Sequence, residues 1–149
     1  MPRPDVHVAV FVRRLPLSRA RLAGIARRVW RSERLGGGDL SLAVVGTRRM
    51  QTLAQTYTGR GYKTDVLAFD LGAGPVRRVA EVVVNAQLAR EQARRLGADP
   101  AAELALYVVH GLLHLAGFDD HDPAEARRMH DRARRRLRQL GFRPPPALP

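Results

Sequence analysis

The sequence predicts one α/β (α+β) domain, in which a mixed sheet of about four strands packs with about five helices. The chain has 149 residues, of which 45% are hydrophobic and 27% charged, as in a globular domain with its own core. Segments that alternate β-branched and other residues occur between segments with helical periodicity. Neither repeats nor a linker interrupt this order. We therefore expect a single domain over residues 1–141, followed by a proline-rich, disordered tail over residues 142–149.

The first half of the chain predicts two strands and two helices in alternation. Alternating apolar residues over residues 6–12 predict a strand, and Ser18 is a capping residue ahead of the first helix. Residues 36–38, all glycine, end that helix, and residues 40–44 predict the second strand. Thr47 is the predicted cap of a short helix that follows. The apolar faces predicted for the two helices are Leu22, Ile25, Ala26 and Val29, and Met50, Leu53 and Tyr57.

Two further strands and a helix follow. Apolar residues predict a strand over residues 66–71 and another over residues 79–84, with a glycine- and proline-rich turn over residues 72–75 between them. Asn85 is the predicted start of the next helix, and Gly97 ends it. The mixture of strands and helices is typical of an α/β or α+β domain.

Two Asp-Pro pairs predict the starts of the last two helices, because aspartate caps a helix and proline suits its first position. The helix after Asp99-Pro100 is apolar on most sides, which predicts a central, buried helix. Its apolar run over residues 104–115 is too short to cross a membrane. The helix after Asp122-Pro123 is amphipathic. Its predicted inward-facing residues are Met129, Ala133, Leu137 and Leu140.

The composition favours a polyanionic partner. The net charge is +12, and summed positive charge of this size attracts phosphate backbones. Lys63 is the single lysine among the 26 basic residues, so a GC-rich genome is an alternative explanation for the arginine excess. The chain has no cysteine, which excludes disulfides and thiolate metal sites. Without an apolar signal segment near its first residues, we expect a cytoplasmic protein and no membrane partner.

A histidine cluster is the most informative feature of the sequence. Three of the five histidines lie within the stretch 110–121. His110 and His114 are four residues apart on the predicted buried helix, so their imidazoles lie on one face, where both can ligate one metal ion. Gly117 permits a sharp turn after the helix, and Asp119, Asp120 or His121 can then return as a third ligand.

Three protein ligands leave one position of a zinc ion open for water, which is typical of a catalytic rather than a structural site. The alternative is that the buried histidines serve the core, where each ring needs hydrogen-bond partners. His7 and His130 have no such neighbours in sequence. We interpret them as an ordinary strand residue and an ordinary surface residue.

Residues 110–121, HGLLHLAGFDDH, resemble the signature HGxLHLxGxDH of the YbeY family, which are metal-dependent endoribonucleases of bacterial ribosomal RNA maturation. Residues 64–69, TDVLAF, are similar to the family's TDVLSF stretch, and residues 80–84, AEVVV, resemble its GDIVI strand. The match extends from about Leu40 to Gly141. It implies a single-domain hydrolase with one Zn²⁺ per chain, held by His110, His114 and a third ligand.

The chain departs from the family pattern at two places. The family's third histidine falls on Asp120 here, and a histidine follows one residue later. An extra turn residue with His121 as the ligand is the preferred interpretation, and Asp120 is the alternative. The family's arginine ahead of TDVLSF falls on Thr58, so Arg60 is the candidate replacement. Asp65 either orients a histidine or caps local structure, and the sequence leaves both open.

The resemblance implies that a metal-bound water attacks a phosphodiester of single-stranded RNA, with ribosomal RNA or its precursor as substrate and a ribosomal protein as a possible partner. Arginines of the last helix would then follow the RNA backbone, or else form a solvated face. One alternative is a non-catalytic RNA- or ribosome-associated metal-binding factor. Another is a metzincin-like peptidase, against which Gly111 argues because those enzymes carry glutamate there. The seven arginines are Arg127, Arg128, Arg132, Arg134, Arg135, Arg136 and Arg138.

Overall fold

The computed structural model describes residues 3–58, 64–73 and 77–146 of the chain. Within these ranges the predicted four strands and five helices are confirmed. In chain order they are β1 (Asp5–Val10), α1 (Arg19–Ser32), β2 (Gly38–Val45), α2 (Thr47–Thr58), β3 (Val66–Ala73), β4 (Arg78–Asn85), α3 (Ala86–Leu96), α4 (Pro100–Leu115) and α5 (Pro123–Gln139).

The sheet is mixed, as predicted, with strand order β1-β2-β4-β3. Strands β1, β2 and β4 are parallel, whereas β3 runs antiparallel to β4. The turn predicted over residues 72–75 is wrong for its first half, because Gly72 and Ala73 extend β3 and pair with Val79 and Arg78 past an irregularity after Asp70. The rest of that turn, Gly74 and Pro75, lies outside the described residues.

The core lies between the sheet and α4, as the apolar composition of that helix predicts. Eleven of its 16 residues are buried. It packs against α1, α3, α5, β3 and β4. Leu104 and Leu112 in α4, and Leu42 and Val82 in the sheet, have no exposed surface. On the opposite face, Met50 of α2 forms a smaller cluster with sheet residues. The predicted central, buried helix is therefore confirmed.

Four of the five predicted side-chain caps are confirmed, whereas Thr47, predicted as the cap of α2, is the first residue of that helix. The oxygen atoms of Ser18, Asn85, Asp99 and Asp122 accept hydrogen bonds from backbone N–H groups of the first turns of α1, α3, α4 and α5 at 3.0, 3.0, 2.9 and 2.8 Å. These bonds satisfy amides that have no partner within the helix. Local sequence alone therefore determines where these helices begin.

Two details of the prediction differ in the structure. Helix α1 ends at Ser32, before the glycines expected to end it, and Gly38 is already the first residue of β2. A Cβ atom on Gly38 would collide with the carbonyl oxygen of Arg78 and the ring of Trp30, so this glycine permits close strand packing. Tyr57, predicted on the inner face of α2, is 64% exposed and only touches the ring of Phe69.

The segment after α5 contacts the domain. Phe142 packs against the core, and the guanidinium of Arg21 lies over its ring. Pro145 is buried, and its carbonyl oxygen accepts a hydrogen bond from Arg134 at 3.2 Å. Residues 142–146, which were predicted to belong to a disordered tail, therefore contact the domain at Phe142 and Pro145. Residues 147–149 lie outside the described residues.

Candidate metal centre

Helix α4 carries both histidines of the predicted pair. His110 is half-buried and His114 is exposed, so α4 presents the first ring at its packed side and the second toward solvent. The charge of His114 acts on His110, which agrees with two rings on one helical face. Helix α4 therefore carries both histidines one turn apart.

Gly111, between the two histidines, explains how closely α4 approaches the sheet. A Cβ atom at this position would lie 2.6 Å from Cγ1 of Val82 and 3.1 Å from Cγ2 of Val66. Both valines are β-branched residues of paired strands with little room to move. A glycine after the first histidine is therefore required by packing. The glutamate that a metzincin-like peptidase needs at this position would not fit here, which is a second argument against peptidase chemistry.

The environment of His110 favours its neutral form. Burial lowers the pKa of the imidazole, the carboxylates of Asp65 and Asp120 raise it, and the charges of His114 and His130 lower it, with a lowered pKa as the result. A neutral imidazole is the form that ligates metal, so the lowered pKa suits His110 to its predicted role.

The turn after α4 has the sharp geometry that Gly117 predicts. Gly117 has φ +96°, and the amide of the next residue donates to the carbonyl oxygen of Leu113 at 3.0 Å. His121 is 82% exposed, and its Nε2 lies 2.8 Å from Oδ2 of Asp119. The ring of His121 is thus in contact with the carboxylate of Asp119. The charge of the other candidate ligand, Asp120, acts on His110.

No three histidine, aspartate or glutamate side chains are gathered closely enough to hold a metal ion in residues 3–58, 64–73 and 77–146. The donor chemistry nevertheless fits zinc, since α4 supplies two imidazoles at ligand spacing and the pKa of His110 favours the ligating form. The roles of His110 and His114 as metal ligands stay a prediction. The identity of the third ligand, His121 or Asp120, stays a prediction.

A cavity of about 600 Å³ lies beside His110, between α3, α4 and α5. The interpretation of His130 as an ordinary surface residue is wrong, because it is half-buried and lines this cavity together with His110. No local pattern indicates this, since His130 reaches the site only when α5 packs against α4. His7, by contrast, is an exposed residue of β1, as expected.

Asp65 and Arg60 are the two other candidates from the sequence. Asp65 lines the cavity, and its charge acts on His110, while its carbonyl oxygen accepts a hydrogen bond from the amide of Asn85 at 2.9 Å. These contacts are compatible with either role predicted for Asp65. Arg60, the candidate replacement for the family arginine, lies outside the described residues. Thr58, the aligned position, ends α2.

Six of the seven arginines of α5 divide into two groups, and the seventh, Arg134, donates a hydrogen bond to the carbonyl oxygen of Pro145. Arg132 and Arg136 pair with Glu33 after α1, at 3.0 and 2.6 Å, and Arg136 is buried. These two therefore stabilise the fold and are not available to RNA, which corrects the prediction for them. Arg127 lines the cavity. The exposed arginines of α5 are Arg127, Arg128, Arg135 and Arg138.

In the described part of the chain, no helix has both the length and the apolar composition needed to cross a membrane.

Comparisons with known proteins point to one family. A family model described as Endoribonuclease YbeY matches residues 17–141 of the chain. A curated relative of that name from Halorhodospira halophila is 36% identical over 115 residues, which are 73% of this chain and 75% of the relative. Another, from Anaeromyxobacter sp., is 41% identical over 95 residues, which are 61% of this chain and 48% of the relative.

The chain spans only part of several relatives, with 48% and 63% of two from Anaeromyxobacter and 34% of one from Myxococcus xanthus covered. The solution structure of a protein from Thermotoga maritima matches with a TM-score of 0.64 at 22% sequence identity, over 91% of this chain and 88% of that chain. This likeness confirms the predicted fold class.

Proposed function

The chain belongs to the YbeY endoribonuclease family, and on that basis we propose that it is a metal-dependent endoribonuclease. Its proposed substrate is single-stranded RNA, specifically ribosomal RNA during maturation. The observation that carries the proposal is the His110–His114 pair on a buried helix, of which His110 lines a cavity of about 600 Å³. A rigid helix is a suitable platform for catalytic ligands, because its position does not depend on a mobile loop.

The proposed metal is one Zn²⁺ per chain, with His110, His114 and His121 as ligands and Asp120 as the alternative third ligand. Bound zinc would supply Lewis acidity and lower the pKa of water to about 7. The chain's own contribution is to keep the pKa of His110 low by burial, so that the ring stays neutral. Asp65, whose charge acts on His110, would orient that ring.

RNA would be held by the arginine-rich surface. Arg128, Arg135 and Arg138 on α5 are exposed, and Arg127 extends this surface to the cavity beside His110. Each exposed guanidinium can bind a phosphate through paired hydrogen bonds. Arg60 is our proposed replacement for the family arginine. A ribosomal protein partner and a cytoplasmic location follow from the proposed ribosomal substrate.

The metal content of the purified chain tests the centre directly. We expect about one zinc ion per wild-type chain, and almost complete loss in His110→Ala and His114→Ala, because two ligands cannot retain the ion tightly. His7→Ala, an exposed histidine of β1, is the matched control and should keep the metal. Equal metal content in all four proteins would contradict the proposal.

The third ligand is decided by two further variants. If His121 is the ligand, His121→Ala reduces zinc affinity strongly and Asp120→Asn has little effect; the reverse result assigns Asp120. Asp119→Asn removes the carboxylate that lies 2.8 Å from Nε2 of His121, and a strong loss of zinc affinity in this variant would instead assign Asp119, the remaining candidate. We expect zinc affinity to rise or stay constant in this variant.

Cleavage of a single-stranded RNA by zinc-loaded protein tests the activity. We expect cleavage by the wild type and by His7→Ala, and none by His114→Ala. Zinc binding without cleavage would favour the alternative of a non-catalytic RNA-associated factor. Cleavage that persists in His114→Ala would indicate a contaminating nuclease and would leave the chain without demonstrated activity.

A further inference from the structure

A second hollow lies between helix α1 and the edge strand β1, and arginine dominates its walls. Its volume is about 580 Å³, and none of the described residues that line it also lines the cavity beside His110. We refer to it as the α1 hollow. Positive charge gathered around one concave surface attracts anions. Four exposed arginines line it, namely Arg3, Arg27, Arg28 and Arg31.

The charge of these arginines is not balanced by carboxylates in the described part of the chain. Asp5 is the one acidic residue described in the walls of the α1 hollow, and its carboxylate lies 2.7 Å from a guanidinium nitrogen of Arg77, which is not a wall residue. Helix α1 contains no acidic residue. Arg27 and Arg31 form no ion pair with any residue in the ranges 3–58, 64–73 and 77–146. An anion from outside the chain would supply the missing negative charge.

The sequence of α1 places a glycine and three arginines on one helical face. Gly24, Arg27, Arg28 and Arg31 occupy positions i, i+3, i+4 and i+7. This face weakens the helix, because glycine is a poor helix former and Arg27 and Arg31 are like charges one turn apart. A Cβ atom on Gly24 would meet nothing within 4 Å, so packing does not require the glycine. Local choices that cost stability without a packing reason are typical of functional surfaces.

The α1 hollow is continuous with the exposed arginines of α5. Nη2 of Arg28 donates to the backbone carbonyl oxygen of Gln139, the last residue of α5, at 3.1 Å. Gln139 also lines a shallow hollow of about 420 Å³ together with Arg135 and Arg138. Toward the start of α5, Arg127 lines the cavity of the proposed metal centre. At 1.5 Å per residue, this row of arginines extends over about 18 Å of helix.

We propose that the α1 hollow binds phosphate groups of the RNA backbone, and that it holds a part of the strand distant from the bond which the proposed function would cut. This assignment of the ligand rests on the proposed function. Guanidinium groups bind phosphates through paired hydrogen bonds. An RNA strand that leaves the cavity beside His110 along the arginines of α5 arrives at the α1 hollow. That continuity favours RNA over an acidic protein segment as the occupant.

Binding of a single-stranded RNA to the metal-free full chain tests the hollow without any cleavage. The probe is a labelled oligouridylate, and fluorescence anisotropy measures its affinity at several salt concentrations. In Arg27→Gln/Arg31→Gln we expect the affinity at low salt to fall at least about tenfold. The slope of log K against log salt should become shallower by about 1.4, since each phosphate contact of a single strand contributes about 0.7.

A double variant on the opposite face of the sheet is the matched control. Arg48→Gln/Arg49→Gln removes two exposed arginines of α2, so it lowers the net charge by the same amount. We expect this variant to keep most of the RNA affinity and of the salt slope. If the two double variants lose affinity and slope equally, the overall charge is responsible and the α1 hollow is refuted.

A carboxylate placed inside the hollow gives a test that does not depend on loss of stability. In Gly24→Glu the new carboxylate lies four residues before Arg28, an arrangement in which the two charges stabilise a helix. We expect a melting temperature no lower than that of the wild type, together with at least about a tenfold loss of RNA affinity at low salt. Gly24→Gln, which adds a neutral side chain of the same size, should retain most of the affinity. Equal RNA affinities of these two variants would overturn the proposal.

Two further probes distinguish RNA from other anions. Polyglutamate of similar charge represents an acidic protein segment, and inorganic pyrophosphate represents a small free anion. We expect Arg27→Gln/Arg31→Gln to weaken the binding of RNA much more than that of either probe. If polyglutamate loses as much affinity as RNA, the hollow does not select RNA and the assignment is wrong. If the variant affects pyrophosphate alone, the hollow is a small-anion site, which also overturns the assignment.

Cleavage separates this proposal from the proposed function. A strand of about four nucleotides, at roughly 3.4 Å each when stacked, is too short to follow the arginines of α5. With zinc-loaded protein we expect Arg27→Gln/Arg31→Gln to raise the KM for a strand of about 20 nucleotides and to leave that for the short strand unchanged. RNA binding that depends on Arg27 and Arg31, in a chain that cuts no RNA, would refute the endoribonuclease and support the hollow. Unchanged KM values for both strands in an active double variant would refute the hollow and support the activity.

Discussion

Helices α4 and α5 begin with the same sequence signal, but they are buried to very different extents. Both start with an aspartate cap followed by proline, and they have 16 and 17 residues. In α4 eleven residues are buried, whereas in α5 only four are. Helix α4 is held by apolar packing on most sides. The comparison shows that a local start signal determines where a helix begins and carries no information on how deeply it is buried.

Ion pairs with Glu33 hold α5, which has few buried apolar residues. The carboxylate of Glu33, 3% exposed, binds Arg136 at 2.6 Å and Arg132 at 3.0 Å. Arg136 also donates to the carbonyl oxygen of Ser32. We refer to Glu33, Arg132 and Arg136 as the α5 clamp. If this contrast is correct, truncation of apolar side chains should weaken α4, and removal of charge should weaken α5.

The largest effect is expected from truncation of a core residue of α4. Leu112 has no exposed surface, so Leu112→Ala removes buried apolar area and leaves a cavity. We expect a loss of about 2–5 kcal/mol in the free energy of unfolding, measured by urea denaturation. Leu106→Ala, on the half-buried side of the same helix, should cost clearly less. Equal losses for the two variants would mean that α4 is not held by its buried face.

Neutralisation of the α5 clamp should rank second. Glu33→Gln keeps the shape of the side chain and removes the charge that satisfies two guanidinium groups. Because hydrogen bonds to charged groups contribute more than neutral ones, we expect a loss of about 1–3 kcal/mol. Asp131→Asn, which neutralises an exposed aspartate of α5, should change stability by less than about 0.5 kcal/mol. A loss no larger than in this control would show that the clamp does not stabilise α5.

A matched pair of glycine substitutions tests how closely α4 approaches the sheet. Alanine is the better helix former by about 1 kcal/mol, so Gly24→Ala in α1, where a Cβ meets nothing within 4 Å, should stabilise the chain. In Gly111→Ala the new Cβ would lie 2.6 Å from Cγ1 of Val82. Overpacking then outweighs propensity, and we expect a net loss of roughly 1–2 kcal/mol in the same assay. Stabilisation by both substitutions would contradict the close packing.

The smallest and most specific effect is a dependence on pH confined to the clamp. Burial by itself raises the pKa of Glu33, but the hydrogen bonds and charges of Arg132 and Arg136 outweigh it, and the pKa is lowered from its ordinary value of 4.5. A lowered pKa in the folded state means that the stabilisation is complete above pH 4.5 and is lost as the pH falls through the folded-state value.

The stability difference between the wild type and Glu33→Gln should therefore be full at neutral pH and shrink on acidification below pH 4.5. The difference between the wild type and Leu112→Ala should stay nearly constant over the same range, because no charge is involved. Thermal unfolding followed at several pH values measures both. If the stability difference between the wild type and Glu33→Gln does not change with pH, the ion pair is not its cause.

The sequence by itself determined the list of secondary-structure elements. Ser18, Asn85, Asp99 and Asp122 act on amides two or three residues away, so the information for a helix start is local. Apolar periodicity similarly identified the buried faces, apart from Tyr57 of α2, which is exposed. The His110–His114 pair belongs to this class, because helical geometry alone brings positions four residues apart onto one face.

Only the tertiary structure decided the contacts between residues distant in sequence. Glu33 and Arg136 are 103 positions apart, and nothing in either segment indicates the other. The same holds for His130, which joins His110 at one cavity, and for Gly111, whose role depends on Val82 of another strand. Local signals act through one chain segment, whereas packing selects partners by shape and charge once the segments meet. The third metal ligand depends on both kinds of information. The sequence supplies the candidates Asp120 and His121, and the path of the turn after α4 decides which of them can reach the other two histidines.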